Sequence, residues 1–417
     1  MFPSIQLFKL SLVARLPIPG NIYWTSGESY SQSFIPKESP VQLRLILSSS
    51  SSSREGFFLH VPMKLENFTS IIITETTMTN YNEEVATPLG EGFVQVRGTP
   101  FDLNGSPFLF NGFNSYWMMN VATEPADRNK VSDVFREAFA AGLSLCRMWA
   151  FSDGGDHALQ ISPGVYDELV FHRRKADQYV QWARNAGETV DGDDDFYTNA
   201  VVKGYYRRHV QEVLTRVNAI TGIAYRDDPT VMAWELMNEP RCQVDYSGNT
   251  INEWVQGMAP YFNKHLLAVG MEGFYGDSIP DRKQYDPGYQ FGTDFIRSNL
   301  VEEIDFGTIH AYPDVCHLED SRTIIGKPLV STEFGKSKKD PHYSLDVRDS
   351  YMNAVYVDIY DLARNGGAFR GGLVWQILAE WMDFYDDGYK ILLLLEPSTN
   401  SVIAQQLSKV AALEHTL

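Results

Sequence analysis

Val231-Met232-Ala233-Trp234-Glu235-Leu236-Met237-Asn238 is a short apolar run that closes on a carboxylate, Glu239, and then on Pro240. A second run of the same kind, Pro328-Leu329-Val330-Ser331-Thr332, closes on Glu333. Read as strands, the two runs place an acid at each C-terminal end. In a (β/α)8 barrel the C-terminal ends of different strands converge on one face, so two acids far apart in sequence can meet there.

Working outward, strand-like runs alternate with helical ones from Phe93 onward, the rhythm of a parallel sheet wrapped by helices. The other strands are placed at Phe108 to Tyr116, Ser144 to Phe151, His265 to Gly270, Phe306 to Tyr312 and Gly372 to Ile377. Helical patterns lie at Arg128 to Ala141, Lys203 to Ile220, Thr250 to Phe262, Thr293 to Glu303, Ser350 to Arg364 and Val402 to Leu413. Gly142 and Gly366-Gly367 follow helices, and Asp349 precedes one.

Counting both acid-tipped runs, this leaves the barrel one strand short. The missing strand belongs between Phe151 and Lys203, where the polar stretch Gly187 to Asp195 offers no β-branched run. The acids within it, Asp191, Asp193, Asp194 and Asp195, lack the full spacing of a calcium loop and read as a solvated acidic loop. Between Tyr312 and Pro328 there is too little chain for a crossover helix with its loops, which takes about a dozen residues or more. The expected fold is therefore α/β, a (β/α)8 barrel with an incomplete third βα unit and a shortened connection before strand seven. Residues 1–91, with the serine tract Ser48 to Ser53 and a Thr-rich stretch, form an atypical, poorly ordered arm, and 92–417 form the barrel domain.

Composition narrows the function. With 417 residues, 44% of them hydrophobic, the chain can bury a full core. A formal charge of −18 argues against nucleic acid, whose phosphates need clustered Lys and Arg. Three cysteines, Cys146, Cys242 and Cys316, show no zinc, haem or disulfide spacing. No apolar run approaches the ~20 residues of a membrane helix, and Phe2 to Val13 has no clear cleavage site to make it a signal peptide. Asn67-Phe68-Thr69 and Asn104-Gly105-Ser106 are glycosylation sequons. Aromatics at 13% suit sugar rings stacking on flat faces, although most aromatics in any chain are core.

Paired carboxylates facing one groove are the apparatus of glycosidic bond hydrolysis: one acid protonates the departing oxygen while the other attacks or stabilises the oxocarbenium-like centre. Asn-Glu-Pro by itself is often only a turn after a strand, and a Glu before Phe-Gly is a weak signal. The motifs in order are stronger. Trp234-Glu235-Leu236-Met237-Asn238-Glu239-Pro240, His310-Ala311-Tyr312-Pro313-Asp314 and Thr332-Glu333-Phe334-Gly335-Lys336 resemble those of plant endo-β-1,4-mannanases of glycoside hydrolase family five. So do Asn111-Gly112-Phe113-Asn114-Ser115-Tyr116-Trp117, Arg147-Met148-Trp149-Ala150-Phe151 and Gly372-Leu373-Val374-Trp375-Gln376, and the likeness spans about Gly92 to Leu417.

The resemblance implies a retaining endo-hydrolase of mannan, galactomannan and glucomannan. Glu239 is then the general acid and base with a raised pKa, and Glu333 the nucleophile, kept ionised. Asn238 binds the sugar 2-hydroxyl, Trp375 forms the stacking floor and Trp149 contacts substrate. Arg147 and Tyr312 hydrogen-bond Glu333, and His310 supports the site. No metal or organic cofactor is implied, and the partner is a polysaccharide. A secreted or cell-wall location follows from where the polymer lies. Arg147 has a structural competitor role as the partner of a buried acid, the two tryptophans as core, and His310 as a satisfied core histidine.

The chain departs from this family where the strand count fails. After Phe171 it jumps through His172-Arg173-Arg174-Lys175-Ala176-Asp177 to Gln178, and after Val315 a loop and helix are shortened. An open edge would leave unpaired backbone groups costing ~1–3 kcal/mol each when buried. Two explanations compete: a degenerate or mis-assembled reading frame, which the arm's lack of family resemblance supports, or a variant in which part of the arm, such as Val41 to Leu47 with its strand composition, fills the gap against the usual consecutive strand order. Other functions to separate are a sugar-binding pseudoenzyme with a damaged barrel and a β-1,4-glucanase of the same clan.

Overall fold

The computed structural model describes residues 11–15, 92–124, 126–150, 160–166, 178–218, 221–262, 264–284, 291–310 and 320–414. Its main sheet has eight strands: β1 (Ser11–Arg15), β2 (Phe110–Asn114), β3 (Leu145–Trp149), β4 (Val231–Asn238), β5 (Leu266–Gly270), β6 (Gly307–Ile309), β7 (Leu329–Phe334) and β8 (Phe369–Val374). Their order is β5-β4-β1-β3-β2-β8-β7-β6.

The two ends of that order meet. The Asp305 N–H donates to the Leu267 carbonyl at 2.8 Å, and the Leu267 N–H donates to the Asp305 carboxylate at 2.8 Å. Further up, the Met271 N–H reaches Thr308 Oγ1 and the His310 N–H reaches the Glu272 carbonyl. The sheet thus curls into the (β/α)8 barrel, and all seven strands expected from the sequence stand in it, Val231–Asn238 with the expected bounds and the other six with shifted ends.

The third position corrects two expectations. β1 stands there, antiparallel to both neighbours, with Ser11 opposite Trp149 and Glu235, and Val13 opposite Arg147 and Ala233. Five residues of the arm set apart from the barrel domain therefore belong to its sheet, and the gap is not an open edge. The physical reason is that strands exchange the same N–H and C=O groups in either direction, and antiparallel pairing is at least as favourable. The alternative filler, Val41 to Leu47, lies outside the described residues.

Helices Arg128–Ala140, Ala200–Thr215, Asn249–Met258 and Leu345–Arg364 lie in crossovers between consecutive strands, and Pro397–Glu414 follows the last strand. Two helix readings need correction. The pattern at Thr293 to Glu303 gives only Phe295–Asn299, and Asp349 lies inside the helix it was expected to cap. The cap is Ser344, whose Oγ accepts from the Val347 N–H at 3.2 Å and starts the helix earlier. Asp194, read as part of a solvated loop, is buried and accepts the Gln243 and Val244 N–H groups at 2.7 and 2.9 Å.

Inside the barrel, Phe110, Leu145, Met232, Leu266, Ala268, Val330 and Leu373 form a buried apolar plug with Phe101 and Phe108. The last two come from a hairpin, 101–103 with 106–108, turned by Asn104-Gly105 with φ of 55° and 87°. Gly112 on β2 must lack a side chain, because a Cβ there would lie 2.7 Å from the Leu145 carbonyl oxygen. With the lower half filled by apolar side chains, polar ones are left to the upper ends of the strands.

Candidate active site

Glu239 follows β4 directly and has φ of 49°, a left-handed backbone that a glutamate adopts only when held. Its N–H donates to the Gly270 carbonyl at 2.6 Å. Glu333 stands near the end of β7. One carboxylate oxygen of each, together with a ring nitrogen of His310, lie within 4.8 Å of one another. His310 Nδ1 is 3.0 Å from Glu239 and 3.4 Å from Glu333, so the imidazole spans the pair.

Arg147, on β3, is fully buried and divides its donors among four partners. Nε donates to Glu235 at 2.7 Å, Nη1 to Glu333 at 2.7 Å and to Asn114 Oδ1 at 3.0 Å, and Nη2 to Asn238 Oδ1 at 2.6 Å. The planar guanidinium fixes the positions of all four. Because Asn238 gives its carbonyl oxygen to Arg147, its NH2 is the group left to offer a ligand. The Arg147 charge also lies 4.4 Å over the Trp149 ring.

Burial pushes the Glu333 carboxyl above the usual range, against the opposing pull of His310 and Arg147. The expectation that Glu333 is simply held ionised thus meets a counterforce. His310 shows the reverse balance. Burial works against its charged form, but Glu333 and the bond to Glu239 together raise it above an ordinary imidazole.

The floor beside the acids is aromatic. Trp375, just past β8, donates its Nε1–H to Asp387 at 2.6 Å and stacks on Tyr116 with centroids 5.7 Å apart. Trp149 is tilted against it at 5.9 Å and is itself buried, a wall behind the half-exposed Trp375.

Two residues were not foreseen. Arg241 binds both oxygens of Glu272, at 3.0 and 2.7 Å, and reaches Glu239 at 3.3 Å. Burial first, and Glu239 second, push the Glu272 carboxyl up to about 7. Both residues had a visible signal. Arg241 continues the Asn-Glu-Pro motif, and Glu272 stands just past the end of β5.

Of the residues singled out from sequence, Glu239, Glu333, Asn238, Arg147, His310, Trp149 and Trp375 come together at one end of the barrel, and Tyr312 lies outside the described residues. Glu239, His310 and Glu333 are also the one grouping among the described residues that could ligate a metal ion. Arg147 and Arg241 already supply positive charge to those same carboxylates, which weakens the case for a cation between them. Cys146 and Cys242 are buried with thiols pushed up to about 12 and about 11, so neither is a nucleophile at neutral pH.

A family model described as "GH family 5 beta-mannosidase-like" matches residues 173–382. The Solanum lycopersicum protein named mannan endo-1,4-beta-mannosidase 5 is 54% identical over 375 residues, covering 78% of this chain and 90% of that protein. Mannan endo-1,4-beta-mannosidase 1 of Oryza sativa subsp. japonica is 47% identical over 366 residues, covering 75% and 85%. The X-ray structure of an endo-beta-1,4-mannanase from Thermotoga petrophila matches with a TM-score of 0.59 and 26% identity, over 73% of this chain and 77% of that one. The aligned length in the tomato comparison exceeds the share of this chain it covers, so stretches of that protein have no counterpart here.

Proposed function

This chain belongs to glycoside hydrolase family 5, in its β-mannosidase-like group, and we propose that it hydrolyses internal β-1,4-mannosidic linkages of mannan, galactomannan and glucomannan with retention at the anomeric carbon. A mannose unit lies over Trp375 with its 2-hydroxyl toward the Asn238 amide. Glu239 passes its proton to the departing glycosidic oxygen while a Glu333 oxygen bonds to the anomeric carbon. In the second half Glu239 takes a proton from water. The water oxygen attacks the same carbon, and the Glu333 carboxylate leaves.

The observation that carries this reading is the approach of the two carboxylates to within 4.8 Å. A retaining pair stands about 5–5.5 Å apart, whereas an inverting pair needs about 6.5–9.5 Å to admit a water. The guanidinium on Glu333 stabilises that carboxylate when it leaves. Side chains supply both the proton transfers and the nucleophile, so no cofactor enters the scheme. The polymer's place in the wall puts the enzyme outside the cell. No helix among the described residues is long and apolar enough to cross a membrane.

Incubation with a 2-deoxy-2-fluoromannosyl fluoride should leave a covalent adduct on the peptide containing Glu333, seen by mass spectrometry. An adduct elsewhere, or a first product of inverted configuration on mannotetraose, would refute the scheme. Parallel assays on mannan and carboxymethyl cellulose separate this activity from a glucanase.

A further inference from the structure

Trp381 and Phe384 are the two most exposed aromatic side chains among the described residues, at 85% and 92%. One exposed aromatic is ordinary, but two large ones in a single short turn make a local apolar surface of the kind that marks a contact site. Their exposure does not come from a loose loop. Met382 between them is buried, the Tyr385 N–H closes on the Met382 carbonyl at 2.9 Å, and the Asp386 N–H closes on that of Asp383 at 3.1 Å. Trp381 also has φ of 65°, a left-handed conformation that is costly for a bulky side chain. A strained, anchored turn that holds two rings outward calls for a functional reason.

The turn is continuous with the candidate catalytic floor. Trp375 stacks on Tyr116, and the Tyr116 hydroxyl donates to the Tyr385 carbonyl at 2.9 Å. The Tyr116 and Tyr385 rings meet edge to face at 6.2 Å, and Tyr385 meets Phe384 the same way at 5.4 Å. Asp387 of the same loop holds the Trp375 indole. An unbroken series of aromatic contacts therefore runs from the sugar-stacking floor to the exposed Phe384 ring, and Trp381 stands three residues before it in the same turn.

We propose that Trp381 and Phe384 form an outer stacking platform for the β-1,4-mannan chain, beyond the unit held on Trp375, which strengthens attachment to polymer and takes no part in bond cleavage. This rests on the mannan reading above. The occupant is a polysaccharide because the platform continues a sugar floor and presents flat apolar faces, which suit pyranose rings.

Affinity electrophoresis of the whole chain through gels containing soluble galactomannan reads binding without needing turnover. Trp381→Gly and Phe384→Ala should each weaken retardation several-fold, and the pair about tenfold, with kcat and KM on a chromogenic mannobioside unchanged and KM on galactomannan raised. Trp381→Gly relieves the left-handed strain, so its melting temperature should hold or rise while binding falls. A purely structural role predicts no loss of binding in that variant. Hydrolysis of mannan by the unaltered chain with equal retardation of the double variant would overturn the platform and leave the proposed function intact. Retardation lost in the double variant, in a chain that does not cleave mannan, would support the platform and overturn the function. No retardation of the unaltered chain, stronger retardation in a carboxymethyl cellulose gel, or a change of oligomeric state in the variants would each overturn the platform.

Discussion

Replacing Arg147 by methionine removes the charge on which four polar groups converge. Glu235, itself fully buried, would keep a carboxylate with no cationic partner at 2.7 Å. Losing one member of a buried ion pair typically costs about 3–5 kcal/mol, and Asn114 and Asn238 each also lose a charge-assisted bond. The loss for Arg147→Met should therefore be at least about 3 kcal/mol in urea unfolding at pH 7. Adding Glu235→Leu removes the orphaned charge, and the double variant should recover about 2 kcal/mol relative to Arg147→Met alone. Activity separates from stability in the same pair. Glu333 still lacks its 2.7 Å donor, so kcat on mannan should stay about 10²–10³-fold down in the double variant, the usual effect of deleting one charge-stabilising donor. Arg147→Lys keeps a charge but not the planar fork, and should leave Asn238 or Glu333 unserved, with kcat still low. An Arg147→Met variant within 1 kcal/mol of the parent would refute this account. So would a double variant no more stable than the single one.

The remaining predictions probe other parts of the molecule. His209 is fully buried and its imidazole is pushed down to about 4. The unfolded chain takes up a proton near pH 6.5 that the folded chain refuses until about 4, so stability is complete above 6.5 and falls as pH drops through that window, by about 3 kcal/mol. His209→Phe should flatten the fall in urea midpoints between pH 6.5 and 4.5. Glu272 has the opposite sign: its carboxyl is raised to about 7, so its contribution is full below the unfolded value of 4.5 and is lost as pH rises through about 7. Glu272→Gln should remove that alkaline-side decline, measured by thermal melts from pH 5 to 8. Asn199 accepts the Val201 and Val202 N–H groups at 2.9 and 3.1 Å, and Asn199→Ala should cost about 1 kcal/mol in urea unfolding. Val13→Pro breaks a ladder in the middle of β1 and should cost about 3 kcal/mol or more in the same assay. An unchanged midpoint would mean that the third position does not depend on β1.

Strands whose ends carry chemistry were legible because two signals coincide in them: a short apolar run, and a polar motif at its C-terminal end. Val231 to Glu239 and Pro328 to Glu333 read correctly for that reason. Glu272 follows the same positional rule and was passed over because Gly270-Met271-Glu272-Gly273 resembles no motif. Asp194 could not be read locally at all. Its burial depends on two N–H groups about fifty residues downstream, and nothing in an acidic run announces such partners. Ser11 to Arg15 poses the same difficulty: five residues of ordinary strand composition acquire a place only through pairing with Leu145–Trp149 and Val231–Asn238, far along the chain.

That β1 can occupy its position without spoiling the site follows from where the site's side chains originate. Asn114 comes from β2, Arg147 and Trp149 from β3, and Glu235, Asn238 and Glu239 from β4 or its end. Glu272, His310, Glu333 and Trp375 come from β5 to β8 or just beyond them. The third position supplies none of them. What it must supply is separation, because β3 and β4 flank one strand and so lie about 9–10 Å apart, two strand spacings. Arg147 and Glu235 are long enough to meet across that width, and do so at 2.7 Å above the line where Val13 pairs with Arg147 on one side and Ala233 on the other. A spacer acts through its backbone, and backbone pairing tolerates both a reversed direction and an unrelated sequence. The position that carries no chemistry is therefore the one where a barrel of this kind can accept a strand from elsewhere in its own chain.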